Sequence, residues 1–174
     1  MSKKTIYRNI AIIAFLSAIL VAFTMVPEDT KEEKRNLAES KKFYEEVFNK
    51  GNIAMADELM TVDFIEHEEF PGLEPGREGV KQFFKMFRTA FPDLKATPEM
   101  MLAKGDKVVS YIIITGTHKG EFMGMEPTGK QIKIKGIDIV KFKDGKAAEH
   151  WGLTDSMTMM NQLGAMPMDE HEGH

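Results

Sequence analysis

The sequence predicts an α+β domain in which a curved antiparallel sheet wraps around N-terminal helices, preceded by an N-terminal hydrophobic anchor or signal helix. Three observations predict this arrangement. Apolar residues recur at helical spacing before Pro92, alternating extended segments follow it, and an unbroken apolar run occupies residues 10–26. Helices followed by a meander of strands are typical of α+β domains, because the sheet must cover its apolar face with the helices.

Residues 1–26 are predicted to form a signal peptide or a membrane anchor. Three basic residues precede the apolar run, which contains only two polar residues. The run is short for a spanning helix and long for a signal-peptide core, so an uncleaved anchor and a cleaved signal both stay open. An anchor would keep its basic end in the cytoplasm. The protein is therefore expected to be membrane-anchored facing the outside or the periplasm, or secreted.

The rest of the chain divides into three parts. Residues 27–36, PEDTKEEKRN, are charged and lack an apolar period, which predicts a linker. Residues 37–164 are predicted to form one domain and residues 165–174 a disordered tail. The tail carries His171 and His174. Because the tail is not expected to supply a scaffold that fixes ligand geometry, we predict no metal site there.

Composition excludes several classes of function. The formal net charge of -4 and the pI near 5.8 argue against nucleic-acid binding, which normally requires a basic surface. The chain has no cysteine, which excludes disulfides, thiolate zinc sites and cysteine nucleophiles.

Helices are predicted in the first half of the domain. A first helix begins at Leu37 and ends before Gly51, and a second short helix lies at 53–60. A longer amphipathic helix precedes Pro92, because five apolar residues share one face. These residues are Val80, Phe83, Phe84, Phe87 and Phe91.

Strands are predicted in the second half, as antiparallel neighbours. They span residues 95–103, 107–118, 131–143 and 146–153. Hairpin turns are expected at Gly105-Asp106 and Asp144-Gly145, and the second dipeptide is typical of a type I′ turn. A final short helix should begin with Thr154 or Asp155 as its cap and end at Gly164.

One carboxylate interrupts the apolar face of a strand. In QIKIKGIDIVKFK, Asp138 shares the parity of Ile134, Val140 and Phe142, whereas lysines occupy the other face. Asp138 is therefore expected to face the interior. An ionised carboxylate is costly there unless it is paired or hydrogen-bonded, which is typical of a general acid or base and also of a buried, fully bonded structural residue.

Several motifs in order resemble the SnoaL-like polyketide cyclase family, also called ester cyclases, of the nuclear transport factor 2-like superfamily. They include FIEHEEFPGLEPGREGVKQFF, GTHKGEFMGMEPTGK and GIDIVKFKDGKAAEHWGLTD. The resemblance implies a cone-shaped α+β fold, an intramolecular aldol condensation without metal or organic cofactor, and an aspartate that acts as acid and base. It also implies a homodimer that forms through the open sheet face.

Asp138 is the residue that we match to the family's aspartate. Asp155 is the competing carboxylate, but a role as helix cap explains it. The aldol reaction also needs a hydrogen-bond donor for the developing oxyanion, and His67, His118 and His150 are the candidates. We name Asp138, His118 and His67 as catalytic candidates.

The predicted substrate pocket consists of Trp151, His150, Phe87 and Tyr111. Alternation places His150 and Trp151 on opposite faces, so at most one of them lines a given cavity. The substrate is expected to be a small apolar carbonyl compound. The alternatives are a non-catalytic ligand-binding module of the same fold and a hydrolase in which Asp138 activates water.

Overall fold

The computed structural model describes residues 29–68 and 72–165. Its helical elements, in chain order, are α1 (Lys31–Phe43), a π-helical segment (Tyr44–Asn49), a 3₁₀ turn (Ile53–Met55), α2 (Ala56–Leu59), α3 (Gly76–Ala90) and α4 (Ser156–Leu163). Its strands are β1 (Met60–Glu66), β2 (Lys95–Lys104), β3 (Lys107–Thr117), β4 (Gln131–Lys143) and β5 (Lys146–Thr154). The predicted α+β class is confirmed, and the predicted helices and the four strands after Pro92 occur in the expected order. In addition, β1 lies between α2 and α3 and is a fifth strand.

The five strands form one sheet in the order β1-β5-β4-β3-β2. The meander from β2 to β5 is antiparallel, as predicted. The prediction of an entirely antiparallel sheet is wrong, however, because β1 lies parallel to β5 and the sheet is mixed. The helix α3 and three strands separate β1 from β5, so the chain returns to the first strand in the same direction.

The core lies between the helices and one face of the sheet, which we call the inner face. The phenylalanine stripe predicted for α3 packs there, since Phe84 and Phe87 are buried and Phe91 is fully enclosed. From the sheet, Ile132 and Ile134 of β4 and Ile112 of β3 meet these rings. Alternation along β4 places its lysines on the opposite, outer face, where Lys133, Lys135 and Lys143 are exposed.

The first helix begins earlier than the sequence predicted. Residues 31–36 were expected in the linker, but they form the first turns of α1. Thr30 caps this helix: its hydroxyl accepts a hydrogen bond from the Glu33 amide, and the Glu33 carboxylate accepts one from the Thr30 amide. Glu33 also accepts a bond from the amide of Gly105 in the β2–β3 turn, so α1 is fastened to the sheet at its first turn. An apolar period cannot reveal this start because the buried side chains of the first turns are polar.

The β4–β5 turn and the two ends of α4 have the predicted geometry. Asp144 and Gly145 both have positive φ, of 55° and 84°, as a type I′ turn requires. Asp155 caps α4 by accepting a hydrogen bond from the Thr158 amide, and Gly164 ends the helix in the left-handed region. These predictions are confirmed.

The predicted anchor at residues 1–26 and most of the predicted tail lie outside the described residues. Within 29–68 and 72–165, no helix is long and apolar enough to cross a membrane.

Candidate active site

Asp138 lies on the inner face of β4, as its parity predicted. Its side chain is 17% exposed, and its neighbours across the sheet are Ser110 on β3 and Gly152 on β5. Ser110 is also buried. The carboxylate therefore enters the space between the sheet and the helices, at the middle of the sheet.

Tyr44 donates a hydrogen bond to Asp138 from the helical layer. The distance from Tyr44 Oη to Asp138 Oδ2 is 2.6 Å. Tyr44 is the first residue of the π-helical segment, whose widened turn follows α1 without a break. Burial and the negative charge of Asp138 raise the pKa of Tyr44 well above its usual range, so the phenol stays protonated and remains a donor.

His150 approaches Asp138 from the neighbouring strand. Its Nε2 lies 3.3 Å from Asp138 Oδ1, and its Nδ1 lies 2.8 Å and 2.9 Å from the two carboxylate oxygens of Glu66. Burial opposes a charged imidazole, but the hydrogen bonds and charges of Asp138 and Glu66 outweigh it and raise the pKa of His150 to about 10. At neutral pH His150 is therefore an imidazolium that donates from both nitrogens.

These four side chains form a continuous hydrogen-bonded chain from the helical layer to β1. It runs from Tyr44 to Asp138, then to His150, and ends at Glu66. The Asp138 carboxylate thus accepts a hydrogen bond from the phenol on one oxygen and from the imidazolium on the other, which compensates for the water that burial removes. The arrangement can therefore exchange protons with a molecule placed against Asp138.

His67 and Trp151 lie on the outer face of the sheet, away from Asp138. Their rings stack with centroids 4.4 Å apart, and His67 Nε2 lies 3.0 Å from Glu149. Glu149 also binds Lys141. The structure does not bring His67 to Asp138. Side chains alternate between the two faces of the sheet, and the paired residues Glu66 and His150 point to the inner face. Their neighbours along the chain, His67 and Trp151, therefore point to the outer face. The assignment of Trp151 to the pocket around Asp138 is corrected for the same reason.

His118 is inside the protein, as its parity predicted, but far from Asp138. It is fully buried, its Nδ1 bonds Thr128, and its ring stacks on Phe91. Ser110 is the cross-strand neighbour of Asp138. His118 lies eight residues after Ser110, which corresponds to about 26 Å along an extended chain. His118 and Asp138 therefore cannot act on the same atom.

The other two predicted pocket residues also lie away from Asp138. Phe87 packs in the aromatic cluster with Phe91 and Phe122, at the His118 end of the core. Tyr111 pairs with Ile137 on the outer face, so its placement in the pocket is corrected. The error with Tyr111 arises because Ser110, its neighbour along β3, is the residue that faces inward.

The structure adds three residues that the sequence did not single out: Tyr44, Glu66 and Glu68. Tyr44 falls within the first predicted helix, and helical periodicity cannot show that its hydroxyl bonds a residue 94 positions later. Glu66 is the last residue of β1, and Glu68 lies two positions beyond it. That alternation was the available signal, because it places both on the face of Phe64, which is buried.

The residues that the structure describes contain no group of three or more His, Cys, Asp or Glu arranged to hold a metal ion.

Comparison with known proteins places the chain in a family. The family model for the SnoaL-like polyketide cyclases matches residues 38–163. The nogalonic acid methyl ester cyclase of Streptomyces nogalater is 26% identical over 128 residues, which cover 72% of this chain and 95% of that protein. The aklanonic acid methyl ester cyclase AcmA of Streptomyces galilaeus is 35% identical over 69 residues, or 39% of this chain and 48% of that one.

Solved structures with a similar fold include assigned polyketide cyclases. A protein of Bacillus cereus assigned as a polyketide cyclase superposes with a TM-score of 0.70 at 31% identity, covering 80% of this chain and 87% of that one. A protein of Jannaschia sp. CCS1 assigned as a SnoaL-like polyketide cyclase gives a TM-score of 0.72 at 25% identity, covering 81% and 99%. Since the family model spans well over half of the sequence, this chain belongs to the SnoaL-like polyketide cyclase family.

Proposed function

We propose that this protein catalyses an intramolecular aldol condensation of a small apolar carbonyl compound, by acid and base catalysis from its own side chains. The observation that carries the proposal is the placement of Asp138. Its carboxylate lies on the inner face of the sheet and is held by Tyr44 on one oxygen and by His150 on the other.

The reaction requires a base, a hydrogen-bond donor and a site from which water is excluded. Asp138 takes a proton from a carbon beside a carbonyl group, and the C–H electron pair forms the enolate. The enolate carbon attacks a second carbonyl of the same molecule, which forms the C–C bond and moves the π pair onto oxygen. The alkoxide then takes up one proton, which balances the proton that left the α-carbon. Before reaction the N–H of His150 and the O–H of Tyr44 donate to Asp138, and as Asp138 takes the proton they become free to donate to the oxygen on which charge develops.

The proposed substrate is a carbonyl compound that carries a methyl ester. Two curated relatives are named as methyl ester cyclases. An apolar guest would exclude water from Asp138 and strengthen the electrostatic interactions there.

The hydrogen-bonded chain favours proton transfer over the alternatives. A module that only binds a ligand needs no imidazolium held between two carboxylates. A hydrolase needs a nucleophilic water and a leaving group, and it would release two products where an aldol enzyme releases one.

The test is exchange of α-protons with heavy water, followed by NMR. The probes are aryl ketones and methyl esters of aryl 3-oxo acids, with the uncatalysed rate subtracted. Wild-type protein should catalyse exchange, and Asp138→Asn should not. Asp144→Asn is the matched control: Asp144 is exposed in the β4–β5 turn, and asparagine tolerates its positive φ. Exchange that survives in Asp138→Asn would exclude Asp138 as the base, and ester cleavage by the wild type would support the hydrolase.

A further inference from the structure

Glu68 brings a second carboxyl group to the site. It follows β1 and lies two residues beyond Glu66, so the two side chains share a side of the chain. The extended pairing continues past the end of β1, because the His67 amide donates to the carbonyl of His150. The Glu68 amide donates to the Glu66 carboxylate at 3.1 Å, which fixes the backbone at this point.

Gly152 makes the room that the Glu68 side chain occupies. A Cβ atom at residue 152 would collide with a carboxylate oxygen of Glu68, and it would lie 2.9 Å from Cε1 of His150. Gly152 is also the cross-strand neighbour of Asp138. The Glu68 carboxyl group and the His150 ring therefore lie over Gly152, immediately beside Asp138.

The surroundings of Glu68 differ from those of Asp138. Within the described part of the chain, no donor forms a hydrogen bond with the Glu68 carboxyl oxygens, whereas Asp138 accepts from both Tyr44 and His150. Among the residues that the structure describes, the charged groups that act on Glu68 are Glu66, Asp138 and His150. Burial, with the charges of Glu66 and Asp138, raises the pKa of Glu68, and the charge of His150 only partly offsets this. Two carboxyl groups whose surroundings differ in this way are suited to the separate roles of acid and base.

We propose that Glu68 is a catalytic residue, the general acid that protonates the alkoxide formed when the ring closes. This inference rests on the proposed aldol function. It adds a second proton carrier beside Asp138, so that removal of a proton from carbon and delivery of a proton to oxygen are assigned to different groups.

Every proton that moves in the proposed cycle is accounted for. Asp138 gains the proton that leaves the α-carbon, and Glu68 loses its O–H proton to the alkoxide oxygen. After one turnover Asp138 is protonated and Glu68 is charged. Transfer of one proton from Asp138 to Glu68, directly or through solvent, restores the starting state. No oxidant, reductant or further reactant is required.

The experiment separates two steps of the reaction in one variant. The probe is a synthetic aryl methyl ester whose α-carbon can reach a ketone to form a six-membered ring. In Glu68→Gln, ring closure should slow by about 10²- to 10⁴-fold, the usual contribution of a general acid. Exchange of the α-proton with heavy water should stay within about two-fold of wild type, because exchange stops at the enolate and forms no alkoxide for Glu68 to protonate.

The pH profile supplies a second readout. In wild type, ring closure should slow as pH rises and Glu68 loses its proton, and Glu68→Gln should lack this decline. Glu68→Asp should recover part of the activity. Glu126→Gln, in the exposed β3–β4 connection, is the control and should match wild type.

Two results would overturn the proposal. Ring closure by Glu68→Gln at the wild-type rate would show that Glu68 donates no proton. Equal loss of exchange and closure would give Glu68 a structural role. Failure of the proposed function looks different, because Asp138→Asn would then retain exchange whatever Glu68 does.

Discussion

The hydroxyl of Tyr44 lies 2.6 Å from Oδ2 of Asp138 and joins the helical layer to the middle of the sheet. We predict that Tyr44→Phe lowers the rate of α-proton exchange by about 10- to 100-fold, because the phenol donates to the enolate oxygen as Asp138 takes the proton, and a hydrogen bond to a charged group is worth about 1.5 to 3 kcal/mol. The same change should lower the free energy of unfolding by a similar amount, measured in urea. Phe43→Leu, on the same helix, is a control for packing. Unchanged exchange in Tyr44→Phe would show that this bond is structural only.

His150 should make stability depend on alkaline pH. Its folded-state pKa of about 10 is above the ordinary value of 6.5, so its pairing stabilises the fold fully below pH 6.5. This contribution should disappear as pH rises from 6.5 through 10. The measurement is the free energy of unfolding of wild type and His150→Gln between pH 6 and 10.5. The difference in free energy of unfolding between wild type and His150→Gln should shrink as pH rises. The corresponding difference between wild type and His67→Gln, whose residue lies on the outer face, should not change with pH over this range.

Glu33 should make stability depend on acid pH. The amides of Thr30 and Gly105 lower the pKa of its carboxylate from 4.5 to about 2. A lowered pKa stabilises the fold above pH 4.5, and this contribution is lost as pH falls from 4.5 through 2. The free energy of unfolding, measured in urea at pH 7 and pH 3, should therefore fall by more in wild type than in Glu33→Gln. Glu32→Gln, one residue earlier and exposed, should behave like wild type. Equal losses in wild type and Glu33→Gln would contradict the assignment.

The sequence could predict most of the fold because the relevant patterns are local. Alternation placed Asp138 on the inner face, and the α3 stripe placed its phenylalanines in the core. The site was harder to predict, because its bonds join distant segments. His150 and Glu66 are 84 positions apart, and they meet only because β1 pairs in parallel with β5. Nothing in the composition of β1 specifies that direction.

The outer face carries an apolar row that crosses three strands. Tyr111, Ile137 and Leu153 are cross-strand neighbours, and Ile137 and Leu153 are 43% and 71% exposed. We propose that a second copy of the chain covers this row. Sedimentation velocity on a chain that begins at Asp29 should show a dimer, and Ile137→Glu with Leu153→Glu should give a monomer that retains its helical content. A monomeric parent chain would refute this arrangement.

The central claim is that Asp138 removes a proton from carbon, and the most direct measurement is its exchange rate relative to a matched control. On a single aryl ketone, we predict that Asp138→Asn exchanges α-protons at least about 100-fold more slowly than Asp144→Asn, in line with the loss of a general base. Equal rates in these two variants, both faster than buffer alone, would contradict the claim.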